Sequence, residues 1–502
     1  MLTVRAAFQG ESEKGHMVYE REGLDAFLAY HSLTEDRDLE IGPGLDLLIN
    51  GKESGDLEKL GWKPGQPIYV MLVSRHSAIT APQVMRSLEK AGVEVSQIVL
   101  TSGDDVFPYV DRLSPDLVLT ANGETADEAV RHGHRAVLMK PRREPYPDDV
   151  TMARVRRIVN RKKSELLDPP EKIRITVAAA ALFDQEEASQ CFRDGGVEAY
   201  GEWMKSRKEP LAPGAAFPMV SKMVEINNLC RQSGIPEPFE ICLISRNSVE
   251  TARPILESLK HYGMSGMGTV WTAGQDTLPH IVAQAPDLSL LINQETSRRL
   301  IQHGIPSAAL VPMPTEHLLE KLEKLWVWLD GDAVLFDGES ERAYMASGLD
   351  GFQEFERQNK DRPMAGGSMM ALTVKLVRWR DYLRANPDGP GDVIGIGMLT
   401  ARGKSAYHRP LVTLREWEIS LDKVIFNNGM DKGAIIGPCC IFLDDGIMHV
   451  MRVSKKGSLE GYPAAVVLDG PRHETGPDGQ LPDPVNFTGG EVRLVAVKPN
   501  RP

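Results

Sequence analysis

One stretch of this chain returns twice, and that repetition constrains its folding more than any other feature. YVMLVSRHSAITAPQVMRSLEKAGVEVSQIVLTSG, starting at Tyr69, comes back as EICLISRNSVETARPILESLKHYGMSGMGTVWTAG from Glu240. It comes back more faintly as GIGMLTARGKSAYHRPLVTLREWEISLDKVIFNNG from Gly395. The segments before them match as well: RAAFQGESEK around Phe8, AALFDQEEAS around Phe183 and AVLFDGESER around Phe336. Between these anchors, Gly23-Leu24, Gly196-Val197 and Gly348-Leu349 fall at corresponding places. A period of roughly 150–170 residues is the length of a domain, not of a solenoid repeat. The expectation is one domain present three times.

Each unit reads alike. A short apolar strand is followed by an acidic turn and about 50 residues of helical pattern. A second apolar strand ends in Ser74, Ser245 or Thr400. An amphipathic helix comes next, then a strand closing on glycine, then another helix and strand. Strands alternating with helices imply an α/β fold, a doubly wound parallel sheet with helices on both faces, present here as three repeated units. The expected division is 1–145, a linker helix over 146–170, a second unit over 171–314, a linker over 315–324, and a third unit over 325–502 with a C-terminal tail. Between Ser340 and about Tyr382 the third unit carries a helical insert, expected to form a small cap.

Charge and cysteine use narrow the function. The net charge of −12 argues against a nucleic-acid or anionic-membrane partner, which would call for a basic face. The one basic run, Arg154 to Lys163, reads as the solvated face of the linker helix. Five cysteines without a CxxC pair indicate neither a disulfide framework nor a zinc site. The N-terminal residues lack the apolar core of a signal peptide. No apolar run approaches the ~20 residues of a membrane helix. These features point to a cytoplasmic protein.

The third unit concentrates chemistry at its strand ends, where ligands bind in such sheets. LWVWL ends in Asp330-Gly331-Asp332, and residues two apart on an extended segment point the same way. The next strand ends in Thr400-Ala401-Arg402. Lys432 follows in NNGMDKG, and CCIFLDD ends in Asp444-Asp445. Any one of these could be a solvated turn. Together and in this order they suit phosphoryl transfer. A carboxylate attacks phosphorus, and a second handles the proton of the leaving alkoxide. A hydroxyl and an ammonium hold the phosphate oxygens, and clustered acids hold a hard divalent cation, Mg²⁺ by ligand type. GMLTARGKS is not a P-loop, because five residues separate Gly397 from Gly403 where the motif has four.

The motif order DGDAVL, LTAR, DKG, FLDD resembles that of the haloacid dehalogenase superfamily. DGDAVLFDGESER, GLDGFQEFERQNKDRPMAGG, MLTARG, LREWEI and FLDDGIMHV are similar to the cytosolic 5'-nucleotidase I family. The middle unit resembles the N-terminal half of that family through AALFDQEEA, EPLAPGAAFPMV, LISRNS and KHYGM. The resemblance covers about residues 171–465, so the first unit lies outside it. It implies Asp330 as nucleophile, Asp332 as acid and base, and Thr400, Ala401 and Lys432 around the phosphate. Mg²⁺ would be held by Asp330, the backbone carbonyl of Asp332, Asp444 and Asp445. It also implies a nucleoside 5'-monophosphate substrate, AMP above all.

The first two units lack this set. Asp330 corresponds to Val177 and Leu2, Asp332 to Ala179 and Val4, and the final acid pair to Leu291-Ile292 and Thr120-Ala121. These units are expected to be non-catalytic and to serve packing, assembly or the binding of a nucleotide effector at the hydroxyls of Ser74 and Ser245. Base preference and oligomeric state, including homo-oligomer formation, stay open. So do two other readings: a phosphatase of another small metabolite, and a nucleotide-binding regulatory or scaffold protein.

Overall fold

The computed structural model describes residues 1–166, 168–455 and 461–474, so part of the tail assigned to the third unit lies outside the described residues. It is an α/β fold built on one sheet of fifteen strands. In chain order these are β1 (Leu2–Thr3), β2 (Met71–Ser74), β3 (Gln97–Leu100), β4 (Val118–Thr120), β5 (Ala136–Leu138), β6 (Ile173–Ala178), β7 (Phe239–Ser245) and β8 (Gly268–Trp271). Then come β9 (Leu288–Leu291), β10 (Ser307–Leu310), β11 (Leu325–Leu329), β12 (Ile394–Thr400), β13 (Lys423–Phe426), β14 (Ile441–Asp444) and β15 (Ala464–Val466).

The order across the sheet is β8-β7-β6-β9-β10, then β15-β14-β11-β12-β13, then β3-β2-β1-β4-β5. Pairing within each section is parallel throughout. In every section the first strand is central, with the second and third on one side and the fourth and fifth on the other. The sections meet through antiparallel pairs, β10 with β15 and β13 with β3. The sequence gives no hint that three parallel sheets would fuse edge to edge.

Alternation along the strands feeds two apolar layers, because successive side chains leave a sheet on opposite faces. Val327 and Leu329 join the larger core with Met398 and Leu443, while Trp328 joins the other with Leu399 and Phe442. Small details recur with the strand order. The helices Glu11–Leu33, Glu186–Ser206 and Glu339–Gln358 kink at Gly23, Gly196 and Gly348, each at positive φ that glycine adopts freely. Ser87, Ser258 and Thr413 each accept a backbone N–H from a distant loop, from Leu39, Leu211 and Met364 respectively.

Two connecting segments differ from their sequence-based expectation. The helix Asp149–Glu165 packs on the first long helix. There Met152 and Val155 share a core with Val18, Ala26 and Tyr30, and Arg156 pairs with Glu22. It adds to the first section instead of spanning a gap, while the described basic side chains Arg154, Arg157 and Lys162 remain exposed. In the insert of the third section only Glu339–Gln358 stands over the strand ends. Its second helix, Met370–Ala385, buries Leu372, Leu376, Trp379 and Leu383 in the main core, because its apolar positions recur at helical spacing.

Candidate active site

The carboxyl ends of the three adjacent strands β14, β11 and β12 bring their side chains to one place. Asp330 follows β11 directly; its backbone N–H donates to Leu443 O (2.8 Å), tying it to β14. Gly331 then turns the chain where a Cβ would lie 3.3 Å from the Thr400 side chain. The turn Gly331–Leu335 contains Ala333 at φ 57° and is braced by Gly367. A Cβ at Gly367 would meet the carbonyl oxygens of Val334 and Phe336 at 2.4 Å.

Asp330, Asp444 and Asp445, all buried, each offer a carboxylate oxygen within 4.8 Å of the others. Lys432 is fully buried at the start of the short helix Lys432–Ile435. Its Nζ lies 2.8 Å from Asp330 Oδ1 and 2.6 Å from Asp444 Oδ2. Asp444 also accepts from Gly446 N (2.7 Å), and Asp445 Oδ2 has no hydrogen-bond partner. Burial pushes the Asp330 carboxyl up to about 6, although Lys432 pulls the other way. Burial, then Asp444, Glu341 and Asp330, holds Asp445 well above the carboxylate range. Burial opposes the charge of Lys432, but Asp330 and Asp444 outweigh it and raise its pKa. Lys432 thus serves two of three crowded carboxylates, while Asp445 Oδ2 accepts no hydrogen bond and has Arg472 Nε at 3.6 Å. A hard divalent cation with oxygen preference fits that donor set.

The other sequence candidates have distinct places. Thr400 is buried at the end of β12, its Oγ1 accepting from Arg402 N at 3.3 Å. Ala401 is exposed. The Asp332 carboxylate is turned to Arg402, which grips it with Nη2 at 2.6 Å and Nε at 2.8 Å. Arg402 is itself buried and also bonds Glu356. Glu356, fully buried on the kinked helix, accepts further from Ser340 (2.6 Å) and Arg409 (3.3 Å). This network ties the helix over the site to the end of β12.

Sequence reasoning missed Glu356 and Arg409, and it assigned Arg402 no partner. It also missed Glu341 and Arg472, which pair with each other beside Asp445. The one available signal was an arginine two residues after the strand-end threonine. His449 lies half-buried near Lys432, with Nδ1 accepting and donating no hydrogen bond. Burial and then that lysine push its ring down to about 4. At the places of Thr400 in the other sections, Ser74 Oγ bonds His76 and Ser245 Oγ bonds Asn247. The strand register puts Thr3 and Ala178, not Leu2 and Val177, at the place of Asp330, because the turn after β11 is one residue longer; Thr120 and Leu291 stand at that of Asp444.

A buried lysine among strand-end carboxylates, on a doubly wound sheet, is an arrangement able to hold phosphoryl oxygens and a cation. The 5'-nucleotidase family model matches residues 2–156 and 167–466, and the chain belongs to that family. The match takes in the first section, which the sequence alone leaves outside the resemblance. The chain is also similar to cytosolic 5'-nucleotidase 1B of Homo sapiens. The two are 28% identical over 300 residues, covering 59% of this chain and 49% of that protein. The chain thus spans about half the length of this curated relative. No solved structure matches it. Among the described residues, no helix is long and apolar enough to cross a membrane.

Proposed function

We propose that this chain is a Mg²⁺-dependent 5'-nucleotidase, hydrolysing nucleoside 5'-monophosphates of the AMP kind to nucleoside and phosphate. The observation that carries the reading is the convergence of Asp330, Asp444, Asp445 and Lys432 at adjacent strand ends. Asp330, Asp444, Asp445 and the carbonyl of Asp332 would hold the cation, which would neutralise phosphate charge and keep Asp330 ionised.

Asp330 attacks phosphorus in line, forming an aspartyl-phosphate as the bond to the 5'-oxygen breaks. Asp332 gives that oxygen its proton, then takes one from the water that hydrolyses the acyl phosphate, regenerating Asp330. Thr400, the backbone at Ala401 and Lys432 hold the phosphoryl oxygens. A carboxylate gripped by a guanidinium cannot donate a proton. The reading therefore requires Asp332 to exchange Arg402 for the leaving oxygen when substrate binds. The kinked helix Glu339–Gln358 would shield the site from water and contact base or ribose.

We also read the chain as one unit in triplicate, 1–145, 171–314 and 325–502, with only the last catalytic. The recurring strand order, the three glycine kinks and the uncharged Thr3 and Ala178 at the strand-end place of Asp330 support it. The test is phosphate release from a panel of AMP, IMP, GMP, CMP, UMP, deoxynucleotides and sugar phosphates, with Mg²⁺ and with EDTA. Preference for a nucleotide with full metal dependence is expected. Turnover indifferent to EDTA, or confined to sugar phosphates, would refute it.

A further inference from the structure

Both joints of the sheet follow one rule: a strand pairs antiparallel with the strand of the same rank in another section. Third pairs with third (β3 with β13) and fifth with fifth (β10 with β15). At the third-to-third joint Val99 faces Ile425, with Ile98 opposite Phe426 and Leu100 opposite Val424. Val99 and Ile425 hold the same place in the repeated stretch, so the joint is a local twofold through that pair. Neighbouring helices close over it. Ser102 Oγ bonds Leu421 O (2.7 Å) and Gln97 Nε2 bonds Asn427 O (3.1 Å) across the seam.

Three sections joined this way leave one third strand and one fifth strand at the outer edges, β8 and β5. These edges are finished differently. β5 runs through Met139 into Lys140, Pro141, Arg142 and Arg143, charges and a proline of the kind that blunt a sheet edge against pairing. β8, GTVW, carries no charge and no proline. Val270 and Trp271 stand where the joint has Val99 and Leu100, and they remain apolar though half-exposed. Beside them on the helix Arg253–His261, Leu256 is 42% exposed, whereas Met85 and Leu411, at the same place beside the joint, are 1% and 0% exposed. Among the described residues no strand pairs with this edge, and Val270 and Trp271 are apolar like the residues that are covered where the same edge is paired.

We propose that the chain forms a twofold homodimer through β8. The strands of two copies would pair antiparallel, with Val270 opposite the partner's Val270 and Thr269 opposite the partner's Trp271. The sheet would then run on through both molecules. The occupant is a second copy because the chain already builds this seam once, from unlike halves. A self-complementary edge meeting itself closes after two copies and leaves no further β8 edge to extend. The proposal does not depend on the reaction assigned to the third section.

The experiment is light scattering of the full-length protein during gel filtration, at tens of micromolar. Twice the chain mass is expected for the wild type, and the chain mass for Val270→Lys and for Leu256→Glu, with unchanged thermal transitions and phosphatase activity. If Val270→Lys alone fails to fold, Leu256→Glu on the exposed helix face decides. Val270→Cys should also give a disulfide-linked dimer on mild oxidation. The wild type, with its native cysteines, should not, and neither should Val137→Cys on β5. A monomeric wild type, or a dimer that survives Leu256→Glu and does not cross-link through Val270→Cys, overturns the proposal.

Discussion

Lys432 Nζ sits 2.8 Å from Asp330 Oδ1, and the two come from segments about a hundred residues apart that meet only because β11 and β14 are neighbours. The ammonium is shared with Asp444, so Asp330 keeps an oxygen free to act. Replacing Asp330 by Asn preserves shape and removes the proposed nucleophile. Turnover of AMP should fall by several orders of magnitude while the thermal transition stays near that of the wild type. Single-turnover phosphate release measures it, and an active Asp330→Asn would dismiss the aspartyl-phosphate.

Divalent cation should stabilise the folded chain as well as activate it. A ligand at about a hundred times its dissociation constant adds ~2.7 kcal/mol, read as a rise in melting temperature on adding Mg²⁺ to chelated protein. Asp445→Asn removes the carboxylate whose Oδ2 accepts no hydrogen bond and should weaken that rise several-fold in metal concentration. An unchanged melting curve with Mg²⁺ would count against a cation at these acids.

Arg402 is expected to matter structurally before it matters chemically. Arg402→Met frees Asp332 and leaves Glu356 buried with one fewer cation, and breaking such a buried pair costs about 3 kcal/mol. Urea unfolding should show a loss of that size, together with lower activity as the kinked helix loosens. Full stability in the variant would show that Arg409 and Ser340 suffice.

His31 gives the first section a pH dependence. Buried against Gln83, its ring is pushed by burial from an ordinary 6.5 down to about 4. Above pH 6.5 it is neutral in both folded and unfolded chains. Below that the unfolded chain binds a proton that the folded chain refuses, so stability falls as pH drops from about 6.5 towards 4, by up to ~3 kcal/mol. In His31→Gln the difference in unfolding free energy between pH 7 and pH 4.5 should shrink. An identical pH profile would assign acid sensitivity to other groups.

What the sequence by itself determined was everything set by local pattern. Alternating strands and helices, the recurring stretches from Tyr69, Glu240 and Gly395, and the acids at strand ends are legible because side-chain period and turn chemistry act over a few residues. The loss of the strand-end acid in the first two sections could be read the same way, but its place fell one residue off, at Leu2 and Val177 instead of Thr3 and Ala178, because the longer turn after β11 shifts the register. Only the tertiary structure decided the fusion of three sheets into one, because edge pairing depends on which edges remain free after each section folds. It also decided that Asp332 turns to Arg402, that Arg472 reaches Asp445, and that Met370–Ala385 enters the core instead of capping the site. Those partners are distant in sequence, and charge pairing within a buried space is settled by proximity, to which a linear pattern carries no pointer.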